Sequence, residues 1–504
     1  MPAEVMIIAG LFCVQQIKKL PIFLIINRLY FHPLSRYNGP RLWAITRLPY
    51  MLAFRSGQSA HKVKGFHEIY GDTVRVAPNE VSFVNPSCVK DIYNSRPNPA
   101  YRCLPKDPIR QPAPRPGQPV SVLEAGDMDH ARIRKGYASS FSAQALKAQE
   151  PLVRSYVHKM VSQLDALAVK PGAVVDLQAW ISYCTFDIIC SLSFGEDFSC
   201  LENSRYHAWV GMLVYSLKAK VQMAACRFYP WLFQLLLKTV PASAQTQMQK
   251  RQAVTREKVQ KRLSTSVNRP DFLFHLQHSK HELSEAEIVL NSSTLVVAGS
   301  HTLQTAITGI LFRLLRNPEV LEKLTKEIRS SFTTAEDMDF GSLSRLPVLD
   351  AAIKEGIRLT SPVPLGLTRL IPDGGHTING EYFPAGTTVS YSQWAANLSP
   401  SNFTNPSSFN LERWLYPDQA AFANDRRNAV QPFLQGSRDC IGQNLACMEI
   451  FLILGHLLHH FDLTLPSAQD GHGVLENWED QETYAVWVKS PLPVKLGIHS
   501  STRT

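Results

Sequence analysis

The segment around Cys440 constrains this chain more than any other stretch of its sequence. Gly436 and Gly442 flank the cysteine, and an apolar stretch with helical periodicity follows it to about His459. Glycine permits tight turns and close approach of the backbone to a flat ligand, because it has no Cβ. A thiolate at the start of a helix gains from the helix dipole and from free backbone N–H groups. The segment therefore predicts a cysteine metal ligand on a preformed loop.

The cysteine count is compatible with a special role for one thiol. Nine cysteines, with no C-x-x-C pair, are too few for a disulfide framework in 504 residues. We therefore expect free thiols in a reducing compartment. A buried structural thiol, the usual fate of a cysteine, is the alternative for Cys440.

Composition excludes several classes of protein. Hydrophobic residues make up 45% of the chain, which excludes a disordered or collagen-like protein. Mean hydropathy is −0.11, which excludes a multi-span membrane protein. The net charge of +10 favours acidic partners, but the basic residues are scattered, so we expect no nucleic-acid binding.

Helical periodicity dominates the pattern, and alternating β-type patterns are few. Ser284 and Glu287 form a capping box before an apolar-periodic stretch that reaches about Arg316. Gly299 lies in its middle at a cost of about 1 kcal/mol relative to alanine, so we expect backbone approach or a local distortion there. Two short strands are predicted in 73–84, and a hairpin region in 374–391 with turns at Asn379-Gly380 and Ala385-Gly386. The fold class expected is mainly α with small β-sheets (α+β), in one large domain.

The N-terminus is predicted to be a membrane anchor over residues 1–29. Two apolar stretches, Val5–Val14 and Leu20–Ile26, are separated by Lys18 and Lys19. Neither reaches the roughly 20 apolar residues of an ordinary span, so the anchor lies partly at the interface or spans imperfectly. A packed or mobile N-terminal helix is the alternative. Basic residues follow the apolar stretch, and the positive-inside rule would leave residues 30–504 in the cytosol.

The spacing around the cysteine matches a known signature. Phe433-x-x-Gly436-x-Arg438-x-Cys440-x-Gly442 fits the F-x-x-G-x-R-x-C-x-G pattern, and the chain resembles the cytochrome P-450 family. The resemblance implies the cytochrome P-450 fold and haem b, with Cys440 as the axial ligand to iron. The other four residues would shape the cofactor site, with Phe433 covering the sulfur and Arg438 pairing with a carboxylate. From about residue 30 onward the chain looks like fungal microsomal members of secondary metabolism.

A second match is Glu355-x-x-Arg358. Residues three apart share one helix face, so the two side chains can pair. Alone this pattern also fits a solvated helix pair. In the family it joins an arginine of an E-R-[FW] segment in a structural triad, and Arg413 takes that place here. The family usually has proline where this chain has Leu411.

The third match lies in the long helix, where residues 298–302 have the sequence AGSHT. In the family, Thr302 would help to deliver protons during oxygen activation. His301 replaces the family's acidic residue. Histidine can relay protons near neutral pH. It could equally face another helix and relay nothing, and both alternatives remain open.

Three further residues resemble those that hold haem propionates. His130 and Arg134 form an H-x-x-x-R pattern, and Arg369 resembles a strand arginine with the same role. A surface cation is the alternative for each. The resemblance also implies a substrate pocket along 295–302, 362–367 and 121–125, whose apolar residues favour a hydrophobic substrate.

The activity implied is insertion of one oxygen atom from O2 into a hydrophobic secondary-metabolite intermediate (terpenoid, polyketide or alkaloid). Electrons would come from NADPH through NADPH-cytochrome P-450 reductase, whose acidic docking face is complementary to the net positive charge of this chain. The expected location is the endoplasmic reticulum membrane, in contact with lipid, with the catalytic domain facing the cytosol. The alternatives are a haem-thiolate isomerase or dehydratase that needs no reductase, and a non-catalytic haem binder.

Overall fold

A computed structural model of the chain describes residues 22–94, 102–170, 172–265, 269–277, 283–466 and 478–499. Residues 1–21 of the predicted anchor lie outside the described residues.

The described residues form twenty α-helices and four short 3₁₀ helices. The helix α1 (Ile22–Phe31) ends in a π-helical turn, Asn27–Phe31. The others are α2 (Arg41–Ile45), α3 (Leu48–Arg55), α4 (Ser59–Tyr70), α5 (Ser87–Tyr93), α6 (Asp127–Ala138), α7 (Ala143–Ala168), α8 (Leu177–Phe194), α9 (Cys200–Asn203), α10 (Ala208–Cys226), α11 (Pro230–Lys238), α12 (Ala242–Leu263), α13 (Phe272–Gln277), α14 (Glu285–Arg316), α15 (Pro318–Ser331), α16 (Phe340–Leu343), α17 (Pro347–Leu359), α18 (Gln393–Asn397), α19 (Glu412–Leu415) and α20 (Gln443–His460).

Eleven short strands form four small sheets. The largest has the order β1-β2-β7-β4, from β1 (Thr73–Ala77), β2 (Glu80–Phe83), β7 (Thr388–Tyr391) and β4 (Arg369–Leu370). A three-stranded sheet has the order β3-β11-β8, from β3 (Val174–Asp176), β11 (Pro493–Ile498) and β8 (Phe461–Thr464). Two antiparallel pairs remain, β5 (His376–Ile378) with β6 (Glu381–Phe383) and β9 (Thr483–Tyr484) with β10 (Val486–Trp487). The prediction of a mainly α fold with small sheets is therefore confirmed.

The long helix α14 is the centre of the molecule. It begins with the predicted capping box, in which Ser284 accepts a hydrogen bond from the Glu287 N–H, and it continues unbroken to Arg316. A Cβ on Gly299 would lie 2.8 Å from Ile189 of α8, so glycine here permits close helix packing. Backbone approach rather than distortion thus explains this glycine. Among the described helices, α14 alone is long and apolar enough to span a membrane, but most of it is buried in the core.

The strands of 374–391 differ in part from expectation. The turn at Asn379-Gly380 closes the β5–β6 hairpin as predicted. The second predicted turn, at Ala385-Gly386, leads instead into another sheet, where β7 pairs parallel to β2 and antiparallel to β4. All four residues of β7 are buried, which fits a central strand better than one arm of an exposed hairpin.

Candidate functional site

The loop before α20 is closed by its own backbone. The Cys440 N–H donates to the Phe433 carbonyl at 2.9 Å, and the Asp439 N–H donates to the Gly436 carbonyl at 3.2 Å. Gly436 has φ +88°, and a Cβ there would lie 2.4 Å from the carbonyl oxygen of Tyr93. Both the backbone conformation and this contact require glycine, so the loop is fixed against α5.

Cys440 is the exposed cysteine of this fold. Of the eight cysteines among the described residues, six are buried, Cys447 is half-buried and Cys440 is exposed. The protein packed around its other sides raises the pKa of the Cys440 thiol, whereas the N–H of Gly442, the N-cap of α20, and the Arg134 guanidinium lower this pKa. Because the net shift is upward, these groups alone do not ionise the thiol. A bound metal cation would.

The residues of the predicted triad meet in the interior. Arg358 donates to both carboxylate oxygens of Glu355, each at 2.8 Å, and Arg413 Nε donates to Glu355 Oε1 at 3.0 Å. Arg413 also pairs with Asp425, and Trp414 donates to Glu355 at 2.8 Å. The side chains of both arginines and of Glu355 are fully buried. Burial raises the pKa of Glu355, but the two arginines outweigh it and hold that pKa below its usual value.

A second group of basic residues, the basic cluster, lies near the Cys440 loop and consists of Lys106, His130, Arg369 and Arg438. Arg438 and Lys106 both donate to the carbonyl of Ala125, each at 3.0 Å. Lys106 also forms a β-bridge with Arg369. Arg369 is buried, and its Nε atom has no hydrogen-bond partner among the described residues.

The basic cluster carries more positive than negative charge. Burial, followed by repulsion from Arg438, lowers the pKa of His130 to about 4 and that of Lys106 to about 7. The carboxylate in hydrogen-bond contact is Asp127, 2.8 Å from Arg438. A buried guanidinium with an unpaired N–H, among other cations, fits a ligand that brings its own carboxylates. The two propionates of haem are such groups, so these residues fit the expected cofactor.

The structure brings two of the three predicted propionate partners together with Arg438. His130, Arg369 and Arg438 belong to the basic cluster, whereas Arg134 donates to the carbonyl of Asp439 at 2.6 Å and pairs with its carboxylate. Arg134 thus holds the Cys440 loop. Lys106 is a member that the sequence did not reveal, because its β-bridge to Arg369 joins residues distant in sequence.

The middle of α14 presents an open face. Ala298 is exposed although it lies within the central helix, and Thr302, one turn later, donates to its carbonyl at 2.7 Å. The predicted lining loop 121–125 is tied to this helix, because Asn291 accepts from the Val122 N–H at 2.7 Å. Leu367, in the other predicted lining segment, is 40% exposed. Apolar and small side chains thus remain uncovered here.

His301 is hydrogen-bonded to a lysine from outside its own helix. Its Nδ1 atom is hydrogen-bonded to the Nζ atom of Lys489, which follows β10. Burial, followed by the lysine charge, lowers the pKa of His301 to about 3, and burial lowers that of Lys489 to about 7. No local pattern points to this partner, because 188 residues separate the two.

Known proteins resemble this chain over nearly its whole length. The family model described as Cytochrome P-450 matches residues 39–492. An averantin hydroxylase of Dothistroma septosporum is 39% identical over 93% of this chain and 87% of its own length. The cytochrome P-450 monooxygenase astA of Talaromyces wortmannii is 38% identical over 94% and 93%. A trichothecene C-4 hydroxylase of Trichoderma arundinaceum is 37% identical over 94% of each chain.

These relatives are monooxygenases and hydroxylases of fungal secondary metabolism. Members of the family carry haem iron on a cysteine thiolate, and its monooxygenases use a redox partner and hydrophobic substrates. The match of motif, fold and relatives leads to one conclusion: this chain belongs to the cytochrome P-450 family and is a monooxygenase-type oxidoreductase of fungal secondary-metabolite biosynthesis.

Proposed function

We propose that the chain is a membrane-attached monooxygenase that inserts one oxygen atom from O2 into a hydrophobic terpenoid, polyketide or alkaloid intermediate. Electrons would come from NADPH through NADPH-cytochrome P-450 reductase. The observation that carries the proposal is an exposed Cys440 on a rigid loop, close to a basic cluster in which Asp127 is the carboxylate in hydrogen-bond contact and Arg369 Nε has no partner among the described residues.

Cys440 is the proposed cysteine ligand of haem b, and the basic cluster would hold its propionates. The bound haem supplies the oxygen-activating chemistry, favoured by the electron-donating thiolate. The chain supplies the geometry. The backbone bond from Cys440 to Phe433 fixes the sulfur, and Gly442 directs its N–H at that atom. Gly436 lets the loop lie against α5 without a clash.

Thr302 is the proposed holder of a proton-carrying water. Its hydroxyl hydrogen is engaged by the Ala298 carbonyl, which leaves the oxygen free to accept a hydrogen bond from water. That hydroxyl lies on the open face of α14, next to the exposed Ala298. The exposed Leu367 and the half-buried Val363 suit an apolar substrate.

Membrane attachment is proposed from exposed apolar side chains on three helices. In α1, Phe23 is 64% and Phe31 76% exposed. On α11 Trp231 is 69% exposed, and on α3 Leu52 is 54% exposed. The inner faces of α3 and α11 belong to one apolar cluster that also includes the end of α10, so these helices lie in one region of the molecule. We assign residues 1–29 as the anchor and 30–504 as the catalytic domain, on the cytosolic side of the endoplasmic reticulum.

The test is turnover under labelled oxygen. Full-length protein in lipid vesicles, with the reductase and NADPH, is supplied with ¹⁸O₂ and a panel of polyketides and terpenoids. One ¹⁸O atom per product, dependent on NADPH and absent from the Cys440→Ala variant, supports the proposal. A product formed without NADPH would support the isomerase or dehydratase alternative instead. Haem binding with no product across the panel would count against a monooxygenase of this substrate class.

A further inference from the structure

A small cavity of about 30 Å³ lies beside α14, on the side of His301. Its lining includes Thr305 and Thr308 of α14, Lys489, and the pair Arg313 and Glu479. About 10–15 Å³ of such space accommodates one water molecule, provided that polar partners are present. The cavity is therefore large enough for water and too small for a substrate.

The polar atoms of this cavity are incompletely paired. The Thr308 hydroxyl is buried and has no hydrogen-bond partner among the described residues, and the same holds for Arg313 Nε. Buried polar atoms without protein partners are ordinarily satisfied by water. Another nitrogen of Arg313 lies 2.6 Å from Glu479, whose side chain is 44% exposed. The cavity thus has a charged pair that reaches solvent at one end.

The other end is Lys489, which lines the cavity and is hydrogen-bonded to His301. Two basic groups joined in this way share one proton most easily, because two full charges would repel each other. Burial lowers the pKa of Lys489 to about 7, so its ammonium group can lose a proton near neutral pH. An ordinary lysine holds its proton too tightly for this role.

We propose that Lys489 and the water of this cavity form the proton supply of the site, with His301 passing each proton toward Thr302. This inference rests on the proposed function. Lys489 is a positioning residue in this scheme, since it acts through His301.

The proton balance is simple. The Lys489 ammonium gives a proton to His301 Nδ1 while Nε2 of the same ring releases its own proton to water on the Thr302 side, so a neutral amine and a neutral imidazole remain. The low pKa of His301 disfavours a free imidazolium between the two transfers. The ring regains its first tautomer by proton exchange with water before the next transfer. Cavity water then returns a proton to Lys489, and the solvent replaces it through the Glu479 end. One proton moves inward per cycle, and no electron is transferred.

The other charged groups around the cavity are paired with each other. Lys489 and His301 are therefore the groups that can exchange a proton. Arg313 is balanced by Glu479, and beyond it lie Glu355 and Arg358 of α17, which pair with each other. Thr305 donates to the backbone carbonyl of His301 at 3.0 Å and carries no charge.

The test compares Lys489→Met with Lys489→Arg in the haem-loaded protein. Arginine keeps the positive charge and the donor but does not release its proton. If Lys489 supplies protons, both variants lose about tenfold or more of product formed per NADPH consumed, with peroxide released instead. The carbon monoxide spectrum and KM stay as in the wild type. Lys326→Met, on the exposed face of α15, is the control. Restored coupling in Lys489→Arg would overturn the proposal, and so would a raised KM, which indicates substrate contact.

A readout independent of turnover is ¹³C NMR of lysine-labelled haem protein. The signal lost in Lys489→Met should titrate near pH 7 in the wild type, and titration near the ordinary 10.5 would overturn the proposal. This measurement needs no substrate, so a failure of the proton-supply proposal can be distinguished from a failure of the proposed function.

Should the Lys489 variants fold poorly, Thr308→Val removes the unpaired hydroxyl with little change in shape. It should lower coupling, and unchanged coupling would count against water in the cavity.

Discussion

Two clusters of buried basic side chains in this molecule differ in their charge balance. In the triad region, Arg358 and Arg413 face Glu355 and Asp425, so two guanidinium groups meet two carboxylates. The basic cluster of Lys106, His130, Arg369 and Arg438 has Asp127 in contact with one member.

This difference separates a structural network from a ligand site. A buried charge with complete partners needs nothing further, and removal of one partner leaves the other uncompensated. A group of basic side chains with too few carboxylates is unfavourable in its charged form, because burial first and the neighbouring Arg438 charge second lower the pKa values of His130 and Lys106. The first arrangement stabilises the fold, and the second becomes favourable only when an anion binds.

The largest expected effect is that of breaking the balanced network. Arg358→Met leaves Glu355 buried with fewer donors, and we expect a loss of about 3–5 kcal/mol in the free energy of unfolding. Denaturant unfolding of the haem-loaded protein measures this. Lys354→Met, which removes an exposed ion pair on the same helix, should cost less than about 1 kcal/mol. Similar losses in the two variants would show that the network is not structural.

A smaller effect with a different signature is expected in the basic cluster. Arg369→Met removes a surplus cation, so the free energy of unfolding without haem should stay the same or rise. Haem should bind about 10–100-fold more weakly, because a charge-assisted hydrogen bond contributes about 1.5–3 kcal/mol. The rate of haem transfer to apomyoglobin reports this loss. If Arg369→Met instead destabilises the haem-free protein as Arg358→Met does, the distinction between the clusters fails.

The last expected effect is a pH dependence of stability, which solvent screening of the half-buried Lys106 reduces. The folded protein lowers the pKa of Lys106 from 10.5 to about 7. Between these values the unfolded chain binds more protons, so the stability of the haem-free protein should rise with pH across this window. Unfolding titrations from pH 7 to 10 measure the slope, which Lys106→Met should reduce. Haem carboxylates would raise this pKa again, so the haem-loaded protein should show a weaker slope. Equal slopes with and without haem would argue against propionate binding here.

The elements that the sequence could predict are those with local signals. The capping box at Ser284 marks the start of α14, and the glycines near Cys440 mark a tight loop before α20. The pairing of Glu355 with Arg358 follows from their helical spacing. In each case residues close in sequence determine the structure.

The remaining features depend on contacts distant in sequence. The central place of β7 follows from its pairing with β2, which no local pattern encodes. Lys106 joins the basic cluster through a β-bridge to Arg369, and His301 meets a lysine 188 residues away. The exposure of Cys440 likewise depends on how helices and loops assemble around it.

The most direct test of the central claim is the carbon monoxide difference spectrum of the reduced protein. It compares wild type, Cys440→Ala, and Cys447→Ala as the matched control on the next helix. The account predicts a strongly red-shifted Soret band in the wild type and in Cys447→Ala, and its loss in Cys440→Ala. A band that survives in Cys440→Ala, or its absence from folded, haem-loaded wild type, would contradict the assignment of Cys440 as the thiolate ligand.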